Sequence, residues 1–307
     1  MSVARTFTHL QARANPTQSS SRLILALGFL LPALVIFALF TYYPLVTVIR
    51  MSFTDSDMMK PSPNFVGFEN YSNLFSSREF WSSLSISAIF AVAVTVIEVG
   101  LGMALGFLMN APTRMQSLLR GAVFTPTVIS ISATAIVWMF YLTPQGGPVN
   151  QALGSIGLPG LGWLSDPNMA LFSVILIAVW KGVGLPAVLY MAGLQGISRE
   201  LEEAAVVDGA SRWQVATRVT IPLLAPTTMV VFFLSLVGTF QSYGLVLLLT
   251  QGGPVGSTTL LGYYIYQNAF QFFQMGYASA ISVVLFLLLL ILAYLQFRVS
   301  ERRVHYQ

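Results

Sequence analysis

Hydroxyl side chains recur at a regular spacing inside a long apolar run of the sequence. Ser235, Thr239 and Ser242 lie at positions i, i+4 and i+7, which share one face of an α-helix, and Gln241 lies beside that face. A polar group inside a membrane is costly unless it faces protein or water. The spacing therefore indicates hydrogen bonding to a polar solute. The alternative is that each hydroxyl bonds back to its own helix or joins two helices.

Two ionisable side chains, Glu98 and Lys181, also interrupt apolar runs. Such groups are expensive within a membrane and are usually paired or functional. Three roles stay open for Lys181: an ion pair with Glu98, a structural role, and contact with a solute. If its ammonium is free, an anionic solute such as a glycerol phosphate would suit it.

The sequence lacks the residues that most catalytic chemistry requires. It has no cysteine, and its two histidines, His9 and His305, lie in the polar ends, so no zinc-protease motif exists. Neither Lys60 nor Lys181 follows a glycine, which excludes an ATP-binding P-loop. The aspartates lie between the apolar runs, which argues against an intramembrane aspartyl protease. We expect no catalytic residue, no metal site and no ATP site in this chain.

The elements that position these side chains are long apolar segments in a chain that is 55% hydrophobic and 8% charged. About 20 apolar residues are needed to cross a bilayer as a helix. The sequence predicts an all-α polytopic membrane protein with six spans, at roughly 23–49, 82–109, 121–142, 169–194, 223–249 and 275–297. The net charge of +4 is scattered between these segments, which argues against nucleic-acid binding.

Basic residues orient the six predicted spans. With the N-terminus in the cytoplasm, eleven arginines fall in cytoplasmic segments, against three basic residues outside. This bias predicts that both termini are cytoplasmic. Residues 1–22 are then a disordered cytoplasmic tail, 23–297 the membrane domain, and 298–307 a cytoplasmic C-terminal tail.

The predicted cytoplasmic segment 195–222, the charged segment, carries the signals of two short helices joined by a turn. Ser198 is placed to cap the first helix, and acids follow in its first turn. Gly209 can take the left-handed conformation that ends it. Ser211 and Gln214 form a capping box for the second helix. Pro222 is expected to end the regular structure before the fifth span.

Part of the charged segment, EAAVVDGASRWQVATRVTIP, resembles the signature of permease subunits of binding-protein-dependent ABC importers. Glu203-Ala204-Ala205, Gly209 and Pro222 match at the expected spacing. Val219 and Ile221 stand where the signature has Ile and Leu, which are conservative changes. Four further stretches resemble the carbohydrate branch of this family: FVGFENYSNLF, VWKGVGLPAVLYMAGLQGIS, LLLTQGGP and QMGYASAISVVLF.

The resemblance implies the ABC importer permease fold and an assembly larger than this chain. In that family the charged segment docks on a separate ATPase. The residues implied in this coupling are Glu203, Ala204, Ala205, Asp208, Gly209 and Arg212. The implied partners are a second homologous permease, two ATPase subunits that bind ATP and Mg²⁺, an extracytoplasmic substrate-binding protein, and lipid of a prokaryotic cytoplasmic or inner membrane.

The resemblance also implies a path for a sugar or related polyol through the spans on either side of the charged segment. The implied path residues are Lys181, Gly182, Gly184, Ser235, Thr239, Gln241 and Ser242. Glu98 is a possible charge partner within the membrane. Three alternatives stay open: a permease for glycerol phosphate or another anionic sugar derivative, an ion-coupled secondary transporter, and a scaffolding membrane protein.

Overall fold

A computed structural model describes residues 16–57, 62–110 and 113–301, and these residues are mostly helical. Within those ranges the only β pairing is one isolated antiparallel bridge between Thr54 and Phe65. The chain divides into two compact units, Met1–Arg50 and Met51–Gln307. The all-α prediction is confirmed.

The first unit is a helical stretch with an apolar surface. Helix α1 (Pro16–Phe37) continues through a π-helical turn, Ala38–Tyr42, into α2 (Tyr43–Met51). The apolar stretch Leu27–Met51 is long enough to cross a membrane. Helix α1 begins before the predicted residue 23, so residues 16–22, expected in a tail, are helical. The predicted tail residues 1–15 lie outside the described residues.

The second unit contains the remaining helices. Those in its described residues are α3 (Glu69–Ser76), α4 (Arg78–Met109), α5 (Arg114–Val128), α6 (Ile131–Tyr141), α7 (Pro148–Ser155), α8 (Pro167–Gly182), α9 (Gly184–Gln195), α10 (Arg199–Val207), α11 (Arg212–Val215), α12 (Ile221–Leu223), α13 (Ala225–Phe240), α14 (Tyr243–Leu249), α15 (Leu261–Tyr266) and α16 (Met275–Glu301). Helix α4 is central, because it packs against α8, α9, α13 and α15.

Three of the predicted spans are not continuous helices. Helices α5 and α6 meet at an angle of 101°, α8 and α9 at 44°, and the Arg212–Leu223 stretch meets α13 at 64°. By length and composition the described chain holds three straight candidate spans, or six if each bent pair counts as one. The fifth predicted span, 223–249, is interrupted again after Phe240, where a turn leads into α14.

Prolines account for the positions of two of these breaks. Pro186 and Pro226 lie in the first turns of α9 and α13, where a residue without an N–H group loses no helical hydrogen bond. A break just before each of them is therefore compatible with the proline and costs no helical hydrogen bond at that position. The prediction that Pro222 ends the regular structure is wrong, because Pro222 lies inside the short helix α12 and the bend falls at Leu224.

Glycines allow α4 and α9 to pack closely. A Cβ added to Gly102 would lie 2.6 Å from Cβ of Pro186, and one added to Gly106 would lie 2.7 Å from Cβ of Tyr190. These distances are too short for real carbon contacts. The two glycines are four positions apart on α4 and form a small-xxx-small pair, the spacing that allows two membrane helices to approach closely.

We expect Gly106→Ala to destabilise the membrane domain by about 1–3 kcal/mol, since the added methyl group must push α9 away from α4. The measurement is thermal unfolding of the purified protein in mild detergent. Gly100→Ala is the matched control on the same helix, because nothing lies within 4 Å of a Cβ at Gly100. Equal melting temperatures for the two variants would contradict close packing at Gly106.

The predicted orientation can be tested with cysteines, since the chain has none of its own. Val255, which is 95% exposed, lies in a predicted outer loop, and Met115, which is 68% exposed, lies in a predicted cytoplasmic one. We expect an impermeant thiol reagent added to whole cells to label Val255→Cys but not Met115→Cys. Inside-out vesicles should give the opposite pattern. Labelling of Met115→Cys from outside would reverse the topology.

Candidate functional site

A cavity of about 290 Å³, the central cavity, lies between α4, α5, α8, α9 and α13. Most of its lining is apolar. Its lining includes these polar or predicted path residues: Glu98, Thr127, Lys181, Gly182, Ser235, Thr239, Gln241 and Ser242. The structure thus brings together six of the seven predicted path residues and adds Glu98 to them.

Gly184 is the predicted path residue that does not line the central cavity. It is buried against α5, where an added Cβ would lie 2.5 Å from Oγ1 of Thr127 and 2.7 Å from the carbonyl oxygen of Val123. Its role in the structure is therefore close packing at the start of α9.

The hydroxyl groups of Thr239 and Ser242 donate their protons to backbone carbonyls of nearby residues. Thr239 Oγ1 donates to the carbonyl of Leu236 at 2.6 Å, and Ser242 Oγ donates to the carbonyl of Gly238 at 3.2 Å. Ser242 follows the end of α13, so the predicted face continues into the turn rather than along the helix. Because the proton of each hydroxyl is occupied, its oxygen is left mainly as a hydrogen-bond acceptor for a solute.

Lys181 joins two helix breaks. Its ammonium donates to the carbonyl of Ile129 and, at 3.4 Å, to that of Pro126, at the bend between α5 and α6. In return, Thr127 Oγ1 donates to the carbonyl of Lys181 at 3.1 Å. The bend leaves carbonyls without helical donors, and inside a membrane these need a partner. This geometry favours the structural role among those that the sequence left open.

Glu98 is the second charged residue of the central cavity and is only 7% exposed. Its carboxylate lies against the backbone at Gly182, where an added Cβ would overlap Oε1. Ser235 on α13 is its neighbouring hydroxyl residue. Glu98 and Lys181 make no ion pair within the part of the chain that the structure describes, and the ammonium of Lys181 is directed at the carbonyls of the α5–α6 bend instead.

The charged segment folds as its local signals predict. Ser198 Oγ caps α10 by accepting from the backbone N–H of Glu200 at 3.3 Å. Gly209 has φ of +84° and ends α10. Around it, the N–H of Ala210 donates to the carbonyl of Ala205, and that of Gly209 to Val206, which is the Schellman arrangement. The Ser211–Gln214 capping box opens α11, as predicted.

The surface of the charged segment is apolar as well as charged. Val206, Val207 and Trp213 are 57%, 86% and 76% exposed. Beside them is a shallow pocket of about 540 Å³, whose lining includes Glu203 and Arg212. Ala204 and Asp208 are also exposed, and Ala205 is partly exposed. Large exposed apolar side chains next to charges are typical of surfaces that contact another protein or the membrane.

Sequence reasoning missed contacts that depend on the tertiary fold. Thr220 Oγ1 donates to the carboxylate of Glu202 at 3.1 Å, which ties α10 to the helical stretch that leads to α13. Arg120 donates to the carbonyl of Met109, at the end of α4. The sequence around Thr127 did not indicate a role for this residue in the cavity, because its hydrogen-bond partner Lys181 is distant in sequence.

A set of broken membrane helices with a mostly apolar cavity that holds a few polar groups, together with a capped charged segment, has the organisation of an importer permease. The model of the family described as binding-protein-dependent transport system inner membrane component matches residues 98–306. The chain belongs to this family. It is a multi-pass permease subunit of an ABC importer, and ATP hydrolysis belongs to a separate subunit of such importers.

Individual relatives agree with the family. The chain is 32% identical over 266 residues to the sulfoquinovosyl glycerol transport system permease protein SmoG of Agrobacterium fabrum, covering 86% of each chain. It is 31% identical over 274 residues to the multiple sugar-binding transport system permease protein MsmF of Streptococcus mutans, covering 89% of this chain and 94% of the relative.

A solved structure agrees in fold. It is a bacterial alginate ABC transporter in complex with a periplasmic protein that has bound an alginate pentasaccharide. The match has a TM-score of 0.83 and 25% identity, and covers 94% of this chain and 97% of that one.

Proposed function

We propose that this permease imports a neutral sugar or related polyol through the central cavity. The observation that carries this proposal is the placement of Lys181, whose ammonium is directed at the carbonyls of the α5–α6 bend. A cation held in this way is a poor anchor for an anionic solute. The remaining polar groups, on Ser235 and Thr239 of α13 and on Gln241 and Ser242 of the turn after it, are neutral and suit a hydroxyl-rich solute.

The charged segment would transmit the motion of the ATPase. Capped at both ends, α10 is rigid, and its exposed apolar residues suit a protein cleft. The residues proposed for this contact are Glu203, Ala204, Ala205, Asp208, Gly209 and Arg212. The proposed assembly contains a second permease, two ATPase subunits with ATP and Mg²⁺, and an extracytoplasmic binding protein. It lies in a prokaryotic cytoplasmic or inner membrane, with both termini in the cytoplasm.

The second candidate is a permease for an anionic sugar derivative. Likeness to an importer of alginate, which is described as an acidic polysaccharide, favours it. The two candidates differ in what Lys181 does. For a neutral solute it supports the bend of the helix, whereas for an anion it supplies the attracting charge.

The test is competition for uptake in proteoliposomes that hold the complete importer with its binding protein. We expect neutral sugars and polyols to compete and their uronic acids and phosphates to fail. Lys181→Gln keeps a hydrogen-bond donor but removes the charge. Uptake should largely survive this change if the solute is neutral. Selective competition by anions, together with loss of uptake in Lys181→Gln, would overturn the proposal in favour of the second candidate.

A further inference from the structure

Glu98 is a charged group of the central cavity that makes no ion pair within the described residues, and the hydroxyl of Ser235 is its side-chain hydrogen-bond partner. Burial of a carboxylate without a cation is expensive in a membrane protein, and such residues are retained for function. Helix α4 places this carboxylate between the α8–α9 break and α13, where it faces the cavity. A residue needed only to fill this space could be glutamine or leucine.

The chemistry of the central cavity is biased toward hydrogen-bond acceptors. When it is ionised, the Glu98 carboxylate only accepts hydrogen bonds, and it can accept several. Thr239 and Ser242 direct their protons at backbone carbonyls, so their oxygens also accept. Two of the three N–H donors of Lys181 are directed at the α5–α6 bend. A solute that carries many O–H donors fits this lining, whereas one that carries carboxylate or phosphate acceptors does not.

The backbone at Gly182 provides the space for this carboxylate. An added Cβ there would overlap Oε1 of Glu98, and it would lie 3.1 Å from Cδ. Any side chain at position 182 would therefore displace the carboxylate. The break between α8 and α9 and the glycine beside it thus serve to hold Glu98 at the cavity wall.

We propose that Glu98 determines the specificity of the central cavity: its carboxylate accepts hydrogen bonds from solute hydroxyls and excludes anionic solutes. This inference rests on the proposed function and names the residue that enforces it. Glu98 and Lys181 are the charged residues in the lining of the described cavity. Removal of the Glu98 charge removes the repulsion that keeps anions out of the cavity.

The test measures solute binding to the assembled importer in detergent without its binding protein, so that only the membrane cavity selects. Equilibrium dialysis uses matched radiolabelled pairs: glucose with glucuronate, galactose with galacturonate, and glycerol with glycerol 3-phosphate. For the wild type we expect at least one neutral solute to bind and its anionic counterpart not to bind. For Glu98→Gln we expect neutral binding to weaken about tenfold, as for loss of a hydrogen bond to a charged group. Binding of the anionic counterpart should become detectable in this variant.

Glu98→Asp separates charge from contact, because it keeps the negative charge but withdraws it by one methylene group. It should weaken neutral binding and still exclude anions. An unchanged preference of neutral over anionic solute in Glu98→Gln would overturn the role of Glu98 alone. Preference of the wild type for the anionic members would overturn both this role and the proposed function.

A double substitution tests the contact with Gly182. Gly182→Ala should weaken neutral binding in the wild type, because the methyl group displaces the carboxylate. In a Glu98→Ala background the same change should add little, since nothing remains to displace. Equal and additive losses in the two backgrounds would show that Gly182 acts independently of Glu98 and would overturn the positioning role.

Discussion

Gly209→Pro is expected to abolish the solute-stimulated ATP hydrolysis of the assembled importer while the spans remain inserted. Gly209 has φ of +84°, and the proline ring fixes φ near −65°, so the turn between α10 and α11 cannot form. The Schellman hydrogen bonds of Ala210 and Gly209 would be lost with it. The measurement is ATPase activity with and without the loaded binding protein, with membrane insertion checked by proteolysis.

The surroundings of Gly209 make this test specific to the backbone. Nothing lies within 4 Å of a Cβ added there, so a side chain meets no steric barrier. Asparagine tolerates the left-handed conformation better than other side chains do. Gly209→Asn is therefore the matched control, and it should retain most of the stimulation. Normal stimulation in Gly209→Pro would remove the charged segment from the coupling mechanism.

The charged segment could be predicted almost to the residue because its signals are local. Ser198, Gly209 and the Ser211–Gln214 box act through backbone groups within a few positions of each other. Such hydrogen bonds need no knowledge of the tertiary fold. The wrong prediction at Pro222 shows the limit of local signals. A proline allows a helix to start as well as to end, and local sequence alone does not decide between these outcomes.

The breaks in the spans could not be predicted from hydrophobicity. An apolar run has the same length whether it is straight or bent by 101°. Lys181 supplies a donor to the backbone carbonyl of Ile129 at this bend, and Thr127 supplies one to the carbonyl of Lys181 at the break between α8 and α9. Those contacts join residues that are more than 50 positions apart. Long-range pairs of this kind leave no periodic pattern in the sequence.

The predicted path residues came together for a simpler reason. Polar groups in apolar runs avoid lipid, so they collect wherever the protein interior has space. Gly182 and Gly184 show the limit of this reasoning. The two glycines are two positions apart, yet one leaves room for a carboxylate at the cavity and the other for the backbone of α5. Only the packing of α4 and α5 around the break distinguishes them.

Thr239→Leu is expected to reduce uptake by far more than tenfold, because Thr239 lies on α13 at the wall of the central cavity and leucine extends the side chain into it. Thr239→Val keeps the shape and removes the hydroxyl, so it measures the hydrogen bond alone. Loss of an ordinary hydrogen bond costs about 0.5–1.5 kcal/mol, or at most about tenfold in uptake. Any further loss of uptake in Thr239→Leu, compared with Thr239→Val, therefore measures steric closure of the path.

Val230→Leu is the matched control for added bulk on α13, since Val230 is 54% exposed and does not line the central cavity. It should leave uptake nearly normal. In Thr239→Leu, ATP hydrolysis driven by the loaded binding protein should persist in part, because the charged segment is untouched. Uptake and ATP hydrolysis are measured on the same proteoliposomes. If both Thr239 variants transport alike, within the range of a single hydrogen bond, then α13 does not border the path and the cavity serves only helix packing.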